Sequence, residues 1–208
     1  MKKVLVIGSG GREHAIVEAL SRSPQVDKIY CAPGNAGISA LAECVGIGVE
    51  DVDALARFAA ENAVDLTVVG PEAALAAGVA DRFAEDGLRI FGPTKGAARI
   101  ESSKEFAKEM MDKYNVPTAS YRVFDEFGDA WDYVRKRPLP AVIKYDGLAA
   151  GKGVVVAATY DEAEAALRDM LLDASFGKGR VVVEDFLSGP EFSFMCVVSG
   201  EKVYPLAV

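Results

Sequence analysis

An α/β fold is predicted for this chain: a mostly parallel sheet domain followed by a smaller unit of mixed strands and helices. Three observations lead there. Short apolar runs alternate with amphipathic segments along the whole length. The early runs are continuous instead of alternating, as strands covered on both faces are. Half of the 208 residues are hydrophobic, which excludes global disorder and allows a buried core.

The elements follow in order. Val4 to Ile7 is a strand buried on both faces, and 12–22 a helix. Lys28 to Cys31 is a second strand, ending at Pro33-Gly34. Helical spacing of Val52, Leu55, Ala56, Phe58 and Ala59 predicts a helix from Asp51 to Asn62. Leu66 to Val69 is a strand stopped by Gly70-Pro71; 73–86 is an Ala-rich helix and 88–91 a further strand. Ser102 to Glu105 has the form of a capping box, Ser at the N-cap and Glu at N3, opening a helix to about Tyr114. Strands are predicted at 120–124, 140–145, 153–158, 180–186, 191–198 and 202–208, with helices at 127–136 and 160–172. Ser199-Gly200-Glu201 signals a hairpin between the last two. The boundary is placed near residue 100, dividing 1–103 from 104–208. The chain stops inside a predicted strand, Val203 to Val208, as expected of the front part of a longer polypeptide.

Lys+Arg total 23 against Asp+Glu 31, a net charge of -8. That balance argues against a sequence-independent nucleic-acid binder, which needs a basic face. It leaves anionic small molecules open, because backbone N–H groups bind phosphate without net positive charge. No apolar run approaches the ~20 residues that span a bilayer, and the start lacks a secretory leader's apolar region. Cys31, Cys44 and Cys196 are widely spaced, as buried reduced thiols of a cytoplasmic protein are.

Gly8-Ser9-Gly10-Gly11-Arg12-Glu13-His14 directly follows a strand and opens a helix, where backbone N–H groups and the helix dipole favour an anion. Its spacing approaches G-x-G-x-x-G, but Glu13 holds the third glycine's place and the second strand ends Cys31-Ala32-Pro33 with no ribose-binding acid. A single phosphorylated sugar fits better than a dinucleotide, with Arg12 as counter-charge. His14, the only histidine, is taken as a helix-surface or capping residue. Pro33 to Gly37 and Gly70-Pro71-Glu72 follow two more strands and lie at the same sheet edge, where ligands of open α/β sheets gather. Each alone is ordinary turn chemistry; together they form a cleft, with Glu72 able to accept from sugar hydroxyls. Lys144 to Val154 delivers a lysine from a strand, then a glycine-rich loop holding Lys152. It is not a Walker A loop, since Gly153 follows Lys152. It suits a flap over triphosphate, and Lys144 in an apolar strand requires an anion. Val181 to Phe192 ends a strand in Glu184-Asp185, then Phe186-Leu187, a turn and Glu191, a segment able to read adenine and ribose.

Together VLVIGSGGREHAI (4–16), PGNAG (33–37), VVGPE (68–72), FGPTK (91–95), SKEFA (103–107), KYDGLAAGKGV (144–154) and VEDFLSGPEF (183–192) resemble the glycinamide ribonucleotide synthetase family of ATP-grasp ligases, in order along the whole chain. The resemblance implies a Rossmann-like N-terminal domain to about 103. An incomplete ATP-grasp lobe would follow, with its flap in about 120–190. It implies a ligase of purine biosynthesis that joins glycine to 5-phosphoribosylamine through a glycyl phosphate, using ATP with Mg²⁺ or Mn²⁺. Gly10, Gly11, Arg12, Glu13, Asn35 and Gly37, with Gly70 and Pro71, would hold the phosphoribosyl group, and Glu72 its hydroxyls. Lys104 and Lys144 would contact ATP phosphates beneath a flap carrying Gly147, Gly151, Lys152 and Gly153. Glu184, Asp185, Phe186 and Leu187 would read adenine, and Glu191 the ribose. The family's metal ligands are expected beyond Val208, so this chain alone is expected to be inactive. A monomer with small-molecule substrates, and neither nucleic acid nor membrane as partner, completes the expectation. Two positions depart from the pattern: Tyr145, where alanine is expected, and Ala74, where proline is. The rivals are another ATP-grasp ligase with a related phosphoribosyl substrate, an NAD-dependent oxidoreductase, and a noncatalytic nucleotide-binding module.

Overall fold

The computed structural model describes residues 1–149 and 151–206. Its first half is a parallel five-stranded sheet, and the order of elements explains the shape. β1 (Lys2–Gly8), α1 (Gly11–Ser21), β2 (Val26–Pro33), a 3-10 turn (Ile38–Ala40) and β3 (Glu43–Cys44) build one side. α2 (Val52–Glu61), β4 (Leu66–Val69), α3 (Glu72–Ala77), α4 (Val79–Glu85) and β5 (Ile90–Phe91) build the other. The strand order is β3-β2-β1-β4-β5, so the winding reverses between β1 and β4. A crevice opens outside the carboxyl ends of strands at such a switch point.

β1 is apolar without alternation because both its faces are covered. Leu5 and Ile7 pack with Leu55, Val79 and Phe83; Val4 and Val6 pack with Val17, Ile29 and Ile38. Full burial of such side chains stabilises by about 1.5–3 kcal/mol each relative to exposure.

Three local expectations are corrected here. The helix expected over 73–86 is two helices, α3 and α4, divided at Gly78 (φ 102°, ψ 26°), whose N–H closes on Ala74 O and Leu75 O. The break re-aims α4 so that Val79, Ala80 and Phe83 all reach the core. A helix not anticipated, α5 (Lys95–Ser102), is capped by Thr94, whose Oγ1 accepts from the Ala97 N–H. That displaces the next N-cap from Ser102 to Ser103 on α6 (Lys104–Lys113), where Ser103 Oγ accepts from the Phe106 N–H at 3.1 Å. Glu105 therefore stands one place too early to close a capping box, and its carboxylate instead takes Arg180 Nη1 at 2.7 and 2.8 Å.

The second half is antiparallel. β6 (Tyr121–Phe124), α7 (Phe127–Val134), β7 (Ala141–Tyr145), β8 (Val154–Ala157), α8 (Tyr160–Leu171) and β9 (Val181–Asp185) form a sheet of order β6-β9-β7-β8. One face carries Ile143, Val181 and Val183 against Ala130, Val134, Leu167 and Met170 of the two helices. Alternation then sends Val142, Lys144, Val182 and Glu184 to the opposite face, and that is the face with chemistry on it. β10 (Cys196–Ser199) and β11 (Lys202–Pro205) pair across the expected hairpin, with Gly200 at φ 59°.

The strand expected from 191 begins only at Cys196. Residues 191–195 hold no regular structure, and Phe192 and Phe194 are exposed. Of the strand expected over 202–208, Ala207 and Val208 lie outside the described residues, as does Ala150 of the glycine-rich loop. The cysteines also differ from expectation. All are free, but only Cys31 is buried, its thiol pushed up to about 11 by desolvation; Cys44 is exposed and Cys196 half-buried.

Candidate functional site

The three loops at the sheet edge are one cradle. Gly8 closes β1 at φ 130°, and Gly10 caps α1 in extended conformation. Glu13 turns back beneath them. It is 5% exposed, and its Oε2 accepts the Gly10 N–H at 2.6 Å. A Cβ on Gly8 would stand 2.6 Å from Glu13 Cδ, and one on Gly70 2.5 Å from the same atom. The glycines are thus required by the carboxylate packed against them. Glu13 occupies the ground that a third glycine opens in dinucleotide sites.

Side chains then tie the loops together. Arg12 Nη1 donates to Gly70 O at 2.7 Å and to Glu72 Oε1 at 3.1 Å. Asn35 Nδ2 donates to Ser9 O at 2.7 Å, while its Oδ1 accepts from the Gly37 and Ile38 N–H groups. Pro71 is the N-cap of α3 and Glu72 its first residue. The Glu72 carboxyl is held below the usual range by its own backbone N–H at that helix start, with Arg12 adding to it. His14 packs on Gly37, where a Cβ would lie 2.8 Å from His14 Cε1.

The second cluster hangs on the start of α6. Asp146, just past β7, accepts from the Glu105 N–H at 3.1 Å and from Ser103 Oγ at 3.3 Å. Lys104 Nζ donates to Gly147 O at 3.0 Å. Burial pulls the Lys104 ammonium below its usual value, against the opposing pull of Asp146 and Glu101. Gly147 (φ 157°) and Gly151 (φ 78°) hold conformations that other residues resist, and a Cβ on Gly153 would stand 2.6 Å from Ala149 Cβ.

Arg12 and Glu72 of the first cluster line a single cavity of about 400 Å³ with Lys104, Gly147, Gly151 and Gly153 of the second. Glu101 also faces it, a residue that sequence reasoning did not single out. Beside this space Lys144 meets its anion within the protein: Nζ stands 2.8 Å from Glu184 Oε1 on the neighbouring strand. Glu184 Oε2 is 3.0 Å from Lys108 Nζ, and Lys108 and Glu184 are both 7% exposed at the side chain. Lys108 had no signal in the sequence, since a lysine on an amphipathic helix ordinarily faces water.

The remaining expected residues do not line the cavity. Asp185 pairs with Arg137 and donates its backbone N–H to Ser120 O at 3.0 Å. Phe186 and Leu187 are exposed, as are Lys152 and Glu191. Among the described residues no group of three or more His, Cys, Asp or Glu could hold a metal ion, and no helix is long and apolar enough to cross a membrane.

Comparison with known proteins agrees along the whole chain. Residues 2–101 match Phosphoribosylglycinamide synthetase, N domain, and residues 102–208 match Phosphoribosylglycinamide synthetase, ATP-grasp (A) domain. A phosphoribosylamine–glycine ligase of Halalkalibacterium halodurans is 56% identical over 98% of this chain and 48% of the relative. One of Vibrio cholerae is 53% identical over 99% of this chain and 49% of the relative. The crystal structure of the Thermotoga maritima phosphoribosylamine–glycine ligase superimposes with a TM-score of 0.79 at 32% identity, over 98% of this chain and 49% of that one. An N5-carboxyaminoimidazole synthase of Aspergillus clavatus shares the fold alone, with a TM-score of 0.73 at 19% identity over 98% of this chain and 52% of that one. The chain spans about half the length of the curated relatives it matches. On its paired loop cradle and lysine cluster, and on matches that run through both halves, the chain belongs to the phosphoribosylglycinamide synthetase family.

Proposed function

We propose that this chain forms the sugar-phosphate-binding and triphosphate-binding parts of a phosphoribosylamine–glycine ligase. That enzyme joins glycine to 5-phosphoribosylamine through a glycyl phosphate, giving glycinamide ribonucleotide, ADP and phosphate. The observation that supports the reading best is the shared cavity, which sets Arg12 and Glu72 opposite Lys104 and the glycine-rich loop. A phosphorylated amine held by the first cluster and a triphosphate held by the second would meet in that space.

The proposed roles follow from chemistry. N–H groups of Gly10 and Gly11 at the start of α1, with Arg12, receive the phosphate; Glu72 orients the ribose hydroxyls; Glu13, Asn35, Gly37, Gly70 and Pro71 hold the loops in place. Lys104 and Lys144 neutralise the triphosphate, and the 147–153 loop closes over it. The backbone of Asp185 to Leu187 would frame adenine and Glu191 the ribose, while the Glu184 carboxylate stays with its two lysines. Phosphoryl transfer asks for positioning and charge neutralisation, so no protein nucleophile is needed. A divalent cation, Mg²⁺ or Mn²⁺, would supply further charge neutralisation on the triphosphate. In this proposal 1–103 and 104–208 are the two working units, and the enzyme is a cytoplasmic monomer.

The test is product formation by a full-length ligase carrying this sequence. ADP should appear only when glycine and phosphoribosylamine are both supplied. ADP release with neither, or with an unrelated acid, would sink the proposal. Lys144→Ala should raise the ATP requirement about tenfold or more, the scale of a lost charge-assisted contact; unchanged kinetics would remove Lys144 from the site.

A further inference from the structure

Glu184 sits between two lysines, and the three groups are not equivalent. Lys108 is almost wholly buried and donates to Thr118 Oγ1 at 2.7 Å and to Ala119 O at 3.2 Å, and its Nζ stands 3.0 Å from Glu184 Oε2 as an ion pair. Lys144 is 27% exposed at the side chain and only approaches Glu184 Oε1, at 2.8 Å, outside hydrogen-bonding angles. Oε1 is buried and carries no hydrogen bond. Among the described residues Lys144 Nζ has no hydrogen-bond partner.

Charge counting gives the consequence. A buried carboxylate facing one lysine makes a neutral pair whose ammonium is committed to it. Here two ammonium groups share one carboxylate, which leaves a net charge of one positive unit. The geometry says where that unit resides, because Lys108 is sealed and fixed to Thr118 and Ala119, while Lys144 is partly open and makes no hydrogen bond among the described residues. We infer that Lys108 is a positioning residue: by neutralising Glu184 from behind, it releases the Lys144 ammonium to bind a polyanion in the adjoining cavity. This rests on the proposed ATP site, and the substrate class it serves is a nucleoside triphosphate.

The experiment measures KM for ATP and kcat in a full-length ligase carrying this sequence, with thermal melting alongside. Lys108→Met keeps most of the side chain's length and removes its charge. It should raise KM for ATP by about tenfold or more. The double variant Lys108→Met with Glu184→Gln restores the net positive unit and should return KM to within about threefold of the parent, a departure from additivity expected of two groups in direct contact. If Lys108 only braces the fold, the double variant performs no better than Lys108→Met, and the inference is overturned. Should Lys108→Met fail to fold alone, the double variant decides, since it buries no unpaired carboxylate. A KM within about threefold of the parent supports the inference and a tenfold rise overturns it. Lys144→Ala separates the two levels. If it leaves KM for ATP unchanged, the ATP-site reading itself falls. If it raises KM while Lys108→Met does not, only the role of Lys108 falls.

Discussion

Gly70 and Glu13 compete for the same space: a Cβ on Gly70 would stand 2.5 Å from both Cγ and Cδ of Glu13. The two are 57 positions apart in sequence, and their contact closes the floor of the cradle. Gly70→Ala must therefore displace a buried carboxylate that holds the Gly10 N–H. We expect a loss of about 1–3 kcal/mol in stability, as for other overpacked sites. If the proposed ligase reading holds, use of phosphoribosylamine by the full-length protein should weaken while the ATP requirement is unchanged. Chemical denaturation and substrate titration measure the two effects; an unaltered midpoint would show that Glu13 relocates freely.

Lys104 makes a prediction about pH. Burial is the main cause of its lowered value, and nearby Lys144 adds to it. In the unfolded chain the group returns to the ordinary 10.5. The folded protein therefore releases this proton at lower pH than the unfolded one. The group opposes folding at all pH below its folded value, and that penalty fades as pH rises toward 10.5. ATP binding, which in the proposed site uses the ammonium, should weaken on the alkaline side before pH 10.5 is reached. Lys104→Arg should carry that limb to higher pH, because guanidinium stays charged. Identical alkaline limbs in the two proteins would assign the titration to another group.

Tyr145 packs at the root of the glycine-rich loop. Its ring is buried 5.5 Å from that of Phe176, and a Cβ on Gly179 would stand 2.8 Å from Tyr145 Cε2. Gly147 is equally close, at 2.6 Å from Cε1. The ring thus fills the root of the glycine-rich loop. Tyr145→Ala should destabilise by about 3–5 kcal/mol, the range for emptying an aromatic site. A change below about 1 kcal/mol in denaturant unfolding would mean that the loop collapses into the gap.

Local patterns were legible where one physical cause dominated. β1 and β4 follow from apolar runs covered on both faces, and the last hairpin follows from its glycine. The split at Gly78 was hidden because Ala, Leu and Val run unbroken across it, so composition favours one helix and only core packing favours two. α5 was missed because its short segment holds a glycine and few apolar positions, and the same omission displaced the N-cap to Ser103. Glu13 was identified as a member of the glycine-rich loop after β1, but its burial beneath that loop depends on Gly70, just past β4.

The α/β class, most of the order of elements and the membership of the two loop clusters follow from the chain itself, because periodicity, turn residues and glycine spacing act over a few neighbours. Tertiary structure alone decided that the clusters face one cavity, that Asp146 anchors the start of α6 from 43 positions away, and that Glu184 is shared by Lys108 and Lys144. Such relations depend on distance through space between buried charges. A charge's partner is chosen by the fold that removes it from water, and no local pattern records that choice.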